Sequence, residues 1–375
     1  MDRAELTSLV RATGCAVERS GAIFLCDPQA SAGERSQMEN AMARTGEWGG
    51  HDQGWLGVRT GGTGGVVKFA RHDQATLSAA AHGFGAHFGL GRVNAVDVLP
   101  PHHVSGLMAR VRCAMTGGEH RAWDWKRLEA GDTPPPRAGD WVLSLVPTQL
   151  QRLLQAPRTV EWLRGLRIIF VGGGPVWPQL AEMAAEAGLR LSLGYGLTET
   201  AAMVAALRPE EFLAGARSCG AALPHARVSV DAGGAIRVAG ESLFRGFWPE
   251  WREPGAFTTE DLGALDARGQ LTILGRCDSM ILTGGKKVSP AEVEAALRAS
   301  GEFDDVAVIG LPDAEWGEAV VACFPVGRVP DTVRASAALA PHARPKKFVP
   351  LRDWPRTASG KIDRIALRAL AEAGA

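Results

Sequence analysis

The stretches Thr60-Gly-Gly-Thr-Gly-Gly-Val-Val-Lys68 and Gly194-Tyr-Gly-Leu-Thr-Glu199 together indicate the fold and the chemistry of this chain. Four glycines allow backbone N–H groups of the first stretch to approach an anion, and Lys68 adds a positive charge. A Walker P-loop is excluded because that motif requires Gly-Lys-Ser/Thr, whereas Val67 precedes Lys68 here. The sequence therefore predicts a phosphate-binding loop, with a flexible surface turn as the alternative.

Length and composition limit the classes of protein that this chain represents. Its 375 residues suggest two or three domains. Lys plus Arg and Asp plus Glu both number 41, so no net field favours nucleic acid, and phosphate binding must be local. The six cysteines are scattered without a metal-binding or CxxC spacing, which is typical of reduced thiols. Without a signal segment or an apolar membrane span, we expect a soluble cytoplasmic protein with no nucleic-acid partner.

Short apolar runs alternate with Ala-rich helical stretches, which predicts an α/β sheet covered by helices. Three such runs lie at residues 96–99, 141–146 and 166–171, and a helix is predicted over 149–154. The third run ends in Gly172-Gly-Gly-Pro175, and loops that follow strand ends commonly build the site in these sheets.

The composition changes near residue 220 and again after Asp278. Short strands are predicted over residues 226–231, 235–239 and 270–274, which indicates a small β-rich subdomain. The last part of the chain predicts a helix, two strands and a final helix, over residues 290–297, 306–310, 319–324 and 362–373. We therefore place a domain boundary at Asp278.

Two further stretches, Gly275-Arg-Cys-Asp278 and Pro355-Arg-Thr-Ala-Ser-Gly-Lys361, follow later in the chain. The four stretches together resemble the core motifs of the acyl-adenylate-forming superfamily, which contains acyl-CoA synthetases, luciferases and peptide-synthetase adenylation domains. The resemblance implies a large AMP-binding domain over residues 1–277, with helix-covered sheets and the β-rich subdomain. It also implies a small mobile α+β C-terminal domain over residues 278–375, and ATP, Mg²⁺ and CoA as cofactors.

The resemblance assigns the nucleotide site. It implies that the triphosphate is bound by Thr60, Gly61, Gly62, Thr63, Gly64, Gly65 and Lys68. Gly61 and Gly64 stand where hydroxyl residues are usual, and Val67 replaces the usual Pro, so fewer side-chain hydroxyls are available for pyrophosphate binding.

The second stretch supplies the adenine and metal side of the same site. Tyr195, the only tyrosine, is implied to stack on adenine next to Gly196, while Thr198 contacts the α-phosphate and Glu199 holds Mg²⁺. A hard cation that bridges phosphate oxygens requires such a carboxylate. The alternative is a strand-to-helix turn with a capping threonine. The adenine-side loop is implied for Gly173, Gly174 and Pro175, where missing side chains admit a flat base.

Asp261 and Arg276 match the pair that binds the ribose, because a carboxylate accepts hydrogen bonds from both hydroxyls. Taken alone, each could be an ordinary surface charge. Asp278 resembles the hinge of the superfamily, and Gly284 and Gly285 resemble the loop that lines the pantetheine tunnel in the second step. A fixed inter-domain turn is the alternative.

Lys361 matches the lysine of the adenylation step. A cation delivered on a flexible stem offsets the negative charge that builds up as the carboxylate and the α-phosphate meet. A solvated surface lysine is the alternative interpretation.

The stretches Leu99-Pro-Pro-His-His-Val-Ser-Gly106 and Ser144-Leu-Val-Pro-Thr-Gln-Leu150 resemble the o-succinylbenzoate-CoA ligase branch of the superfamily. In that branch, the residue at His103 gates the acyl pocket beside Ser105, and an arginine at Arg112 meets the substrate. One guanidinium can pair bidentately with a second, unreacted carboxylate.

Two alternatives concern this acyl segment. His103 could simply pack at the site entrance, and Arg112 could pair with a local acid such as Glu119 or Asp124. The segment offers no acid to pair with an α-ammonium group, which argues against an amino-acid substrate because a buried unpaired charge is costly.

The resemblance as a whole implies an acid-thiol ligase that adenylates a carboxylic acid and transfers the acyl group to CoA. The expected acid is 2-succinylbenzoate, in menaquinone or phylloquinone biosynthesis. The alternatives are a CoA ligase for another aryl or fatty acid and a non-catalytic nucleotide-binding remnant. About 59 residues precede the phosphate loop, so we expect a shortened N-terminal lobe. The expected partners are a small-molecule carboxylate and CoA, and a homodimer is left open.

Overall fold

The computed structural model describes residues 1–19, 21–44, 54–60, 67–135, 139–356 and 362–373. Within these ranges, the strands form four sheets, and helices lie between most of them along the chain. The predicted α/β fold class is confirmed.

The first sheet contains β1 (Ala16–Arg19), β2 (Ala22–Leu25), β3 (Leu56–Arg59) and β4 (Phe69–His72), in that order. Helices α1 (Arg3–Arg11) and α2 (Ala32–Ala43) belong to the same part of the chain. β3 and β4 pair antiparallel, and the main-chain N–H of Thr60 donates to the carbonyl of Lys68 at 3.0 Å. This hairpin therefore brings together the two ends of the predicted phosphate loop.

The second sheet is the central one and has seven strands. They are β5 (Asn94–Asp97), β6 (His120–Ala122), β7 (Trp141–Leu145), β8 (Ile168–Val171), β9 (Leu191–Leu197), β10 (Ala202–Ala206) and β11 (Ala221–Ala222). The order is β11-β10-β9-β8-β7-β5-β6. β5 to β9 are parallel to one another, β10 pairs antiparallel with β9, and β11 pairs antiparallel with β10. The carboxyl ends of the parallel strands therefore share one edge.

Helices cover both faces of the central sheet, as expected for parallel strands that are buried throughout. They are α3 (Gln74–Phe88), α4 (Val104–Thr116), α5 (Trp125–Glu129), α6 (Pro147–Leu153), α7 (Pro157–Arg164), α8 (Pro178–Glu186) and α9 (Pro209–Leu213). Leu150 of α6, Leu163 of α7 and Leu180 of α8 pack against one face of the sheet. Phe84 of α3 packs against the other face. α6 begins earlier than predicted because a proline suits the first helical turn.

The third sheet is an antiparallel meander of β12 (Ala226–Val230), β13 (Ala235–Gly240), β14 (Phe257–Leu265) and β15 (Leu271–Arg276). The predicted strands near residues 226–239 and 270–274 lie in it, and β14 completes the sheet. β14 and β15 pair with Asp261 opposite Arg276, so the two residues predicted to hold the ribose are neighbours in the ladder.

The fourth sheet follows a 3-10 turn at Cys277–Ser279. It contains β16 (Ile281–Thr283), β17 (Lys286–Val288), β18 (Ala307–Asp313), β19 (Gly317–Pro325) and β20 (Lys347–Leu351), with α10 (Pro290–Ala299), α11 (Thr332–Ser336) and α12 (Arg364–Ala373). The boundary at Asp278 stays a prediction. None of the helices in the described ranges has both the length and the apolar composition required to cross a lipid bilayer.

Arg71 in β4 joins the first sheet to the segment that follows β13, a strand of the β-rich sheet. Its guanidinium is buried and donates to the main-chain carbonyls of Pro249 and Glu250 at 3.2 and 3.1 Å. The same group lies 5.6 and 5.0 Å from the ring centroids of Trp248 and Trp251. Main-chain hydrogen bonds already join β4 to this segment, for example from the N–H of Arg71 to the carbonyl of Gly246 at 2.9 Å. A buried carbonyl that loses its donor costs free energy, so the arginine side chain stabilises the same junction further.

Replacing Arg71 with methionine is expected to lower the free energy of unfolding by on the order of 3 kcal/mol, because buried carbonyls lose their donor. Thermal unfolding followed by circular dichroism would measure the change. The matched control is Arg268→Met in an exposed turn, which should change stability by less than about 0.5 kcal/mol. Equal melting temperatures for the two variants would contradict the assignment.

Candidate active site

The ends of the phosphate loop are the parts of it that the structure describes. Thr60 is buried at the end of β3, and Lys68 is exposed with its Nζ 5.3 Å from the ring centroid of Phe247. Gly61, Gly62, Thr63, Gly64 and Gly65 lie outside the described residues. Lys68 is thus anchored by its main chain and keeps its charge at the surface of the hairpin.

His72, which the sequence analysis missed, connects β4 to the turn after β9. Its Nε2–H donates to the carbonyl of Thr198 at 2.7 Å, and its Nδ1 lies 3.0 Å from the hydroxyl of Thr76. Burial lowers the pKa of His72 to about 4, so the ring is neutral near pH 7. A neutral histidine therefore fixes the distance between the phosphate-loop hairpin and the Thr198 turn.

The Thr198–Thr200 segment is a 3-10 turn between β9 and β10. A Cβ at Gly196 would lie 2.0 Å from the carbonyl oxygen of Ala202, so only glycine fits in β9 at this point. Ala201 and Ala202 have φ angles of 52° and 76°, which side-chain-bearing residues adopt at a cost in free energy. The turn that presents Thr198 and Glu199 is therefore held in a strained conformation.

Glu199 is half-buried and lies in a negative environment. Burial raises the pKa of its carboxyl group, and the nearby charges of Asp261 and Glu260 raise it further. A divalent cation would offset this cost. In the described ranges no group of three or more His, Cys, Asp or Glu could hold a metal, so Mg²⁺ here would need phosphate oxygens as additional ligands. That fits the way Mg²⁺ is usually bound in nucleotide sites.

Tyr195 joins the central sheet to the β-rich sheet. Its hydroxyl donates to the Asp261 carboxylate at 2.8 Å and lies 3.3 Å from the Thr259 hydroxyl. Only 7% of Tyr195 is exposed, and the ring packs among buried apolar side chains such as Ile236. Burial raises the pKa of the phenol, and the charge of Asp261 adds to this. The predicted stacking on adenine stays a prediction, but the ring is placed beside the predicted ribose acid.

Arg276 lies next to Asp261 and is the other member of the predicted ribose pair. Its Nη1 lies 3.7 Å from Asp261 Oδ1 and its Nη2 lies 2.5 Å from Glu260 Oε2. The adenine-side loop follows β8, where Gly173 adopts a φ of 76° and Gly174 and Pro175 are exposed. Among the described residues, the adenine-side loop and the Thr198–Thr200 turn follow the carboxyl ends of β8 and β9, and Asp261 and Arg276 lie beside Tyr195.

The acyl segment begins α4. His103 precedes the helix, and its half-buried ring lies 4.7 Å from that of His102. His102 is itself buried, with Nε2 3.8 Å from Asp27, and burial lowers its pKa. Ser105 is half-buried in the first turn of α4. Both predicted acyl-side residues thus lie at the start of one helix.

Arg112 lies two turns further along α4 and is buried, with 6% of its surface exposed. Its guanidinium carbon is 3.9 Å from the centroid of Phe84, its Nε has no hydrogen-bond partner among the described residues, and burial lowers its pKa to about 10. The alternative pairing is not observed in the described part of the chain, since Glu119 lies 3.7 Å from Arg121 and Asp124 caps α5. Arg112 is a buried cation without a described carboxylate partner.

The Gly284-Gly285 pair forms a two-residue turn between β16 and β17. Both glycines have positive φ, 54° and 75°, which is the geometry of a tight hairpin. The main-chain N–H of Gly284 donates to the carbonyl of Trp316 at 2.9 Å. Asp278 lies in the preceding 3-10 turn. The roles predicted for these residues stay predictions.

Lys361 lies outside the described residues, but both flanks of its segment are described. On one side Arg356 pairs with Asp305, which also accepts from the indole of Trp354 at 2.8 Å. On the other side Arg364 donates to Glu294 at 2.7 Å. Both flanks are therefore held by carboxylates of the C-terminal part of the chain.

Arg298 at the end of α10 connects those two carboxylates. Its guanidinium lies 3.9 Å from Glu294 and 3.6 Å from Asp305. It also lies 5.1 Å from the ring centroid of Trp177, which follows the adenine-side loop. The sequence gives no signal for this contact, because neither residue belongs to a recognisable motif.

Two family models match the chain. The model for the AMP-binding enzyme matches residues 58–248, and the model for the AMP-binding enzyme C-terminal domain matches residues 292–361. A probable 2-succinylbenzoate–CoA ligase of Mycobacterium tuberculosis (strain CDC 1551 / Oshkosh) is 36% identical over 335 residues, which is 83% of each protein. A 2-succinylbenzoate–CoA ligase of Enterococcus faecalis is 31% identical over 81% of this chain and 67% of the relative.

A solved structure supports the same relationship. The o-succinylbenzoate CoA synthetase of Bacillus subtilis, in complex with its acyl-adenylate intermediate OSB-AMP, has a TM-score of 0.72 and 25% identity. The match covers 84% of this chain and 69% of that one. With an AMP-binding model over half of its residues and relatives above 30% identity, this chain belongs to the AMP-binding enzyme family.

Proposed function

We propose that this protein is an AMP-forming acid–CoA ligase that acts on 2-succinylbenzoate. In the first half-reaction, a substrate carboxylate oxygen attacks the α-phosphorus of ATP, and pyrophosphate leaves. In the second, the thiol of CoA attacks the acyl carbon and AMP leaves with the bonding electron pair. The family membership supports the chemistry, and the similarity to three 2-succinylbenzoate or o-succinylbenzoate enzymes supports the acid.

The buried Arg112 is the observation in this chain that carries the choice of a dicarboxylate. A guanidinium without a described carboxylate partner is costly to bury, and a substrate carboxylate would offset that cost. Its position two turns after Ser105 puts it on the same helix as the predicted acyl pocket. We propose that Arg112 binds the carboxylate that does not react, while His103 and Ser105 line the entrance.

In the proposed site, Thr60 and Lys68 hold the triphosphate together with the glycines between them. Asp261 accepts hydrogen bonds from the ribose hydroxyls, opposite Arg276. Glu199 would hold Mg²⁺, which would supply charge neutralisation between phosphate oxygens when bound. The raised pKa of Glu199, to which the nearby charges of Asp261 and Glu260 contribute after burial, supports this role.

The remaining assignments concern the mobile part. We propose that Lys361 contacts the carboxylate and the α-phosphate during adenylation, and that the Gly284-Gly285 turn lines the path of pantetheine in the second step. Asp278 is the proposed hinge between these arrangements, with residues 278–375 as the moving domain.

The proposal places the enzyme in menaquinone biosynthesis in the cytoplasm, where ATP and CoA are available. Six scattered cysteines without paired spacing support a reducing location. A homodimer is an assembly that size measurement in solution can test directly.

Lys361→Ala is expected to slow adenylation by on the order of 10²- to 10³-fold, because the variant loses a charge positioned at the meeting anions. The measurement is pyrophosphate release with ATP and 2-succinylbenzoate. The second half-reaction, assayed with preformed acyl-adenylate and CoA, should keep its rate. Equal losses in both half-reactions would contradict the role of Lys361.

Arg112→Gln is expected to lower kcat/KM for 2-succinylbenzoate by on the order of 10²-fold, since a charged hydrogen-bonded pair is lost. The rate with 4-oxo-4-phenylbutanoate, which lacks one carboxylate, should change little. The control is Arg110→Gln, which lies on the same helix but on a different side. If both acids lose the same factor, Arg112 does not recognise a second carboxylate, and a CoA ligase for another aryl or fatty acid becomes the better assignment.

Tyr195→Phe is expected to raise the KM for ATP by about tenfold, because Asp261 loses a hydrogen bond that orients its carboxylate. The KM for the carboxylic acid should not change, since the contact lies on the ribose side. Steady-state kinetics with each substrate varied in turn would test this prediction.

The non-catalytic alternative predicts a different result for the unaltered protein. A protein that binds ATP but never releases pyrophosphate would be a nucleotide-binding remnant.

A further inference from the structure

A cavity of about 590 Å³ opens on the central sheet, away from the motifs. Three arginines line it, Arg167, Arg190 and Arg208, together with His87 and Glu210. We call this site the arginine cavity. The candidate active site lies beyond the carboxyl ends of β8 and β9, whereas Arg167 and Arg190 immediately precede these strands. The two sites are therefore at opposite edges of the sheet.

The strand order explains why the arginines meet. The main-chain N–H of Ile169 donates to the carbonyl of Arg190 at 2.9 Å, so Arg190 is level with the beginning of β8, where Arg167 also lies. β10 runs antiparallel to β9, and the N–H of Leu207 donates to the carbonyl of Leu193 at 2.9 Å. Arg208 follows Leu207, so it too reaches the edge at which β9 begins.

The charge of the arginine cavity is not balanced within the described part of the protein. None of the guanidinium groups of Arg167, Arg190 and Arg208 forms an ion pair with a described residue, although other exposed arginines do, such as Arg152 with Glu129 at 2.8 Å. Glu210 is the acidic residue that lines the cavity. With His87 neutral, three positive charges and the negative charges of Glu210 and of the neighbouring Glu211 leave a net charge of about +1, which favours an anion.

His87 forms the inner side of the arginine cavity. Its ring is half-buried, and Nε2 donates to the carbonyl of Ala206 at 3.0 Å. Burial lowers the pKa of His87, the charge of Arg208 lowers it further, and Glu211 acts in the opposite direction. An anion bound between the arginines would raise this pKa, so His87 reports on occupancy.

We propose that the arginine cavity binds a small phosphate-bearing molecule. Its volume is in the range of small-molecule sites, roughly 300–1,000 Å³, and guanidinium groups bind phosphate oxygens bidentately. The balanced charge of the whole chain argues against nucleic acid, which requires an extended basic surface. This site is independent of the proposed ligase activity, because no motif residue lines it.

The test follows His87 by NMR in the full-length protein labelled with ¹³C-histidine. The chain has nine histidines, so the His87 signal is assigned with a His87→Gln variant. Titrations over pH with inorganic phosphate, with pyrophosphate and without either anion would give its pKa. We expect at least one of the two anions to raise the pKa of His87 by about 0.5 or more. A response to pyrophosphate alone would identify a diphosphate group as the ligand.

The variants separate this site from the active site, which also binds phosphates in the proposed function. The double variant Arg190→Gln/Arg208→Gln should abolish the response of His87 and weaken binding at least tenfold, with an unchanged melting profile. Arg237→Gln, an exposed arginine of β13, is the matched control and should keep both. No response of His87 to either anion at 10 mM, or an unaltered response in the double variant, would overturn the proposal whether or not the protein is a ligase.

Discussion

The hydrogen bond from Tyr195 to Asp261 is the contact on which the arrangement of the site depends. It connects a strand of the central sheet to a strand of the β-rich sheet, and both partners are largely buried. A charge-assisted bond in a low-dielectric environment is strong, and breaking it would leave a carboxylate buried without its donor. The pairing of β14 with β15 places Arg276, the second predicted ribose contact, opposite Asp261 and so next to this bond.

A second hydrogen bond links the first sheet to the turn that follows β9. His72 joins the hairpin of the predicted phosphate loop to the carbonyl of Thr198, and burial keeps its ring neutral near pH 7. The proposed nucleotide site is thus held from two directions, by a phenol on the proposed ribose side and by an imidazole on the proposed phosphate side. The phenol and the imidazole hold their neighbouring elements in place, and this role does not require either group to react.

Local patterns predicted the parts of the molecule whose physics is local. Glycine-rich turns and alternating apolar runs were recognisable because residue type and order carry the information, whereas Tyr195, Asp261 and Arg276 were assigned through the resemblance to the superfamily. His72 and Arg298 were not recognisable, because an isolated histidine in a strand and an arginine in a helix look the same whether they join two elements or face water. Some predicted strand ends coincide with the observed ones and others differ by up to three residues, since hydrogen bonding across the sheet, rather than propensity, decides where a strand ends.

The two alanines after the Thr198–Thr200 turn restrict how this part of the protein can vary. Glycine at Ala201 or Ala202 would relax the left-handed backbone but would give the unfolded chain more freedom, so the two effects oppose each other. Valine or isoleucine would combine the same backbone with a branched Cβ and would be strongly disfavoured. The turn between β9 and β10 is therefore a place where the left-handed backbone excludes residues that branch at Cβ.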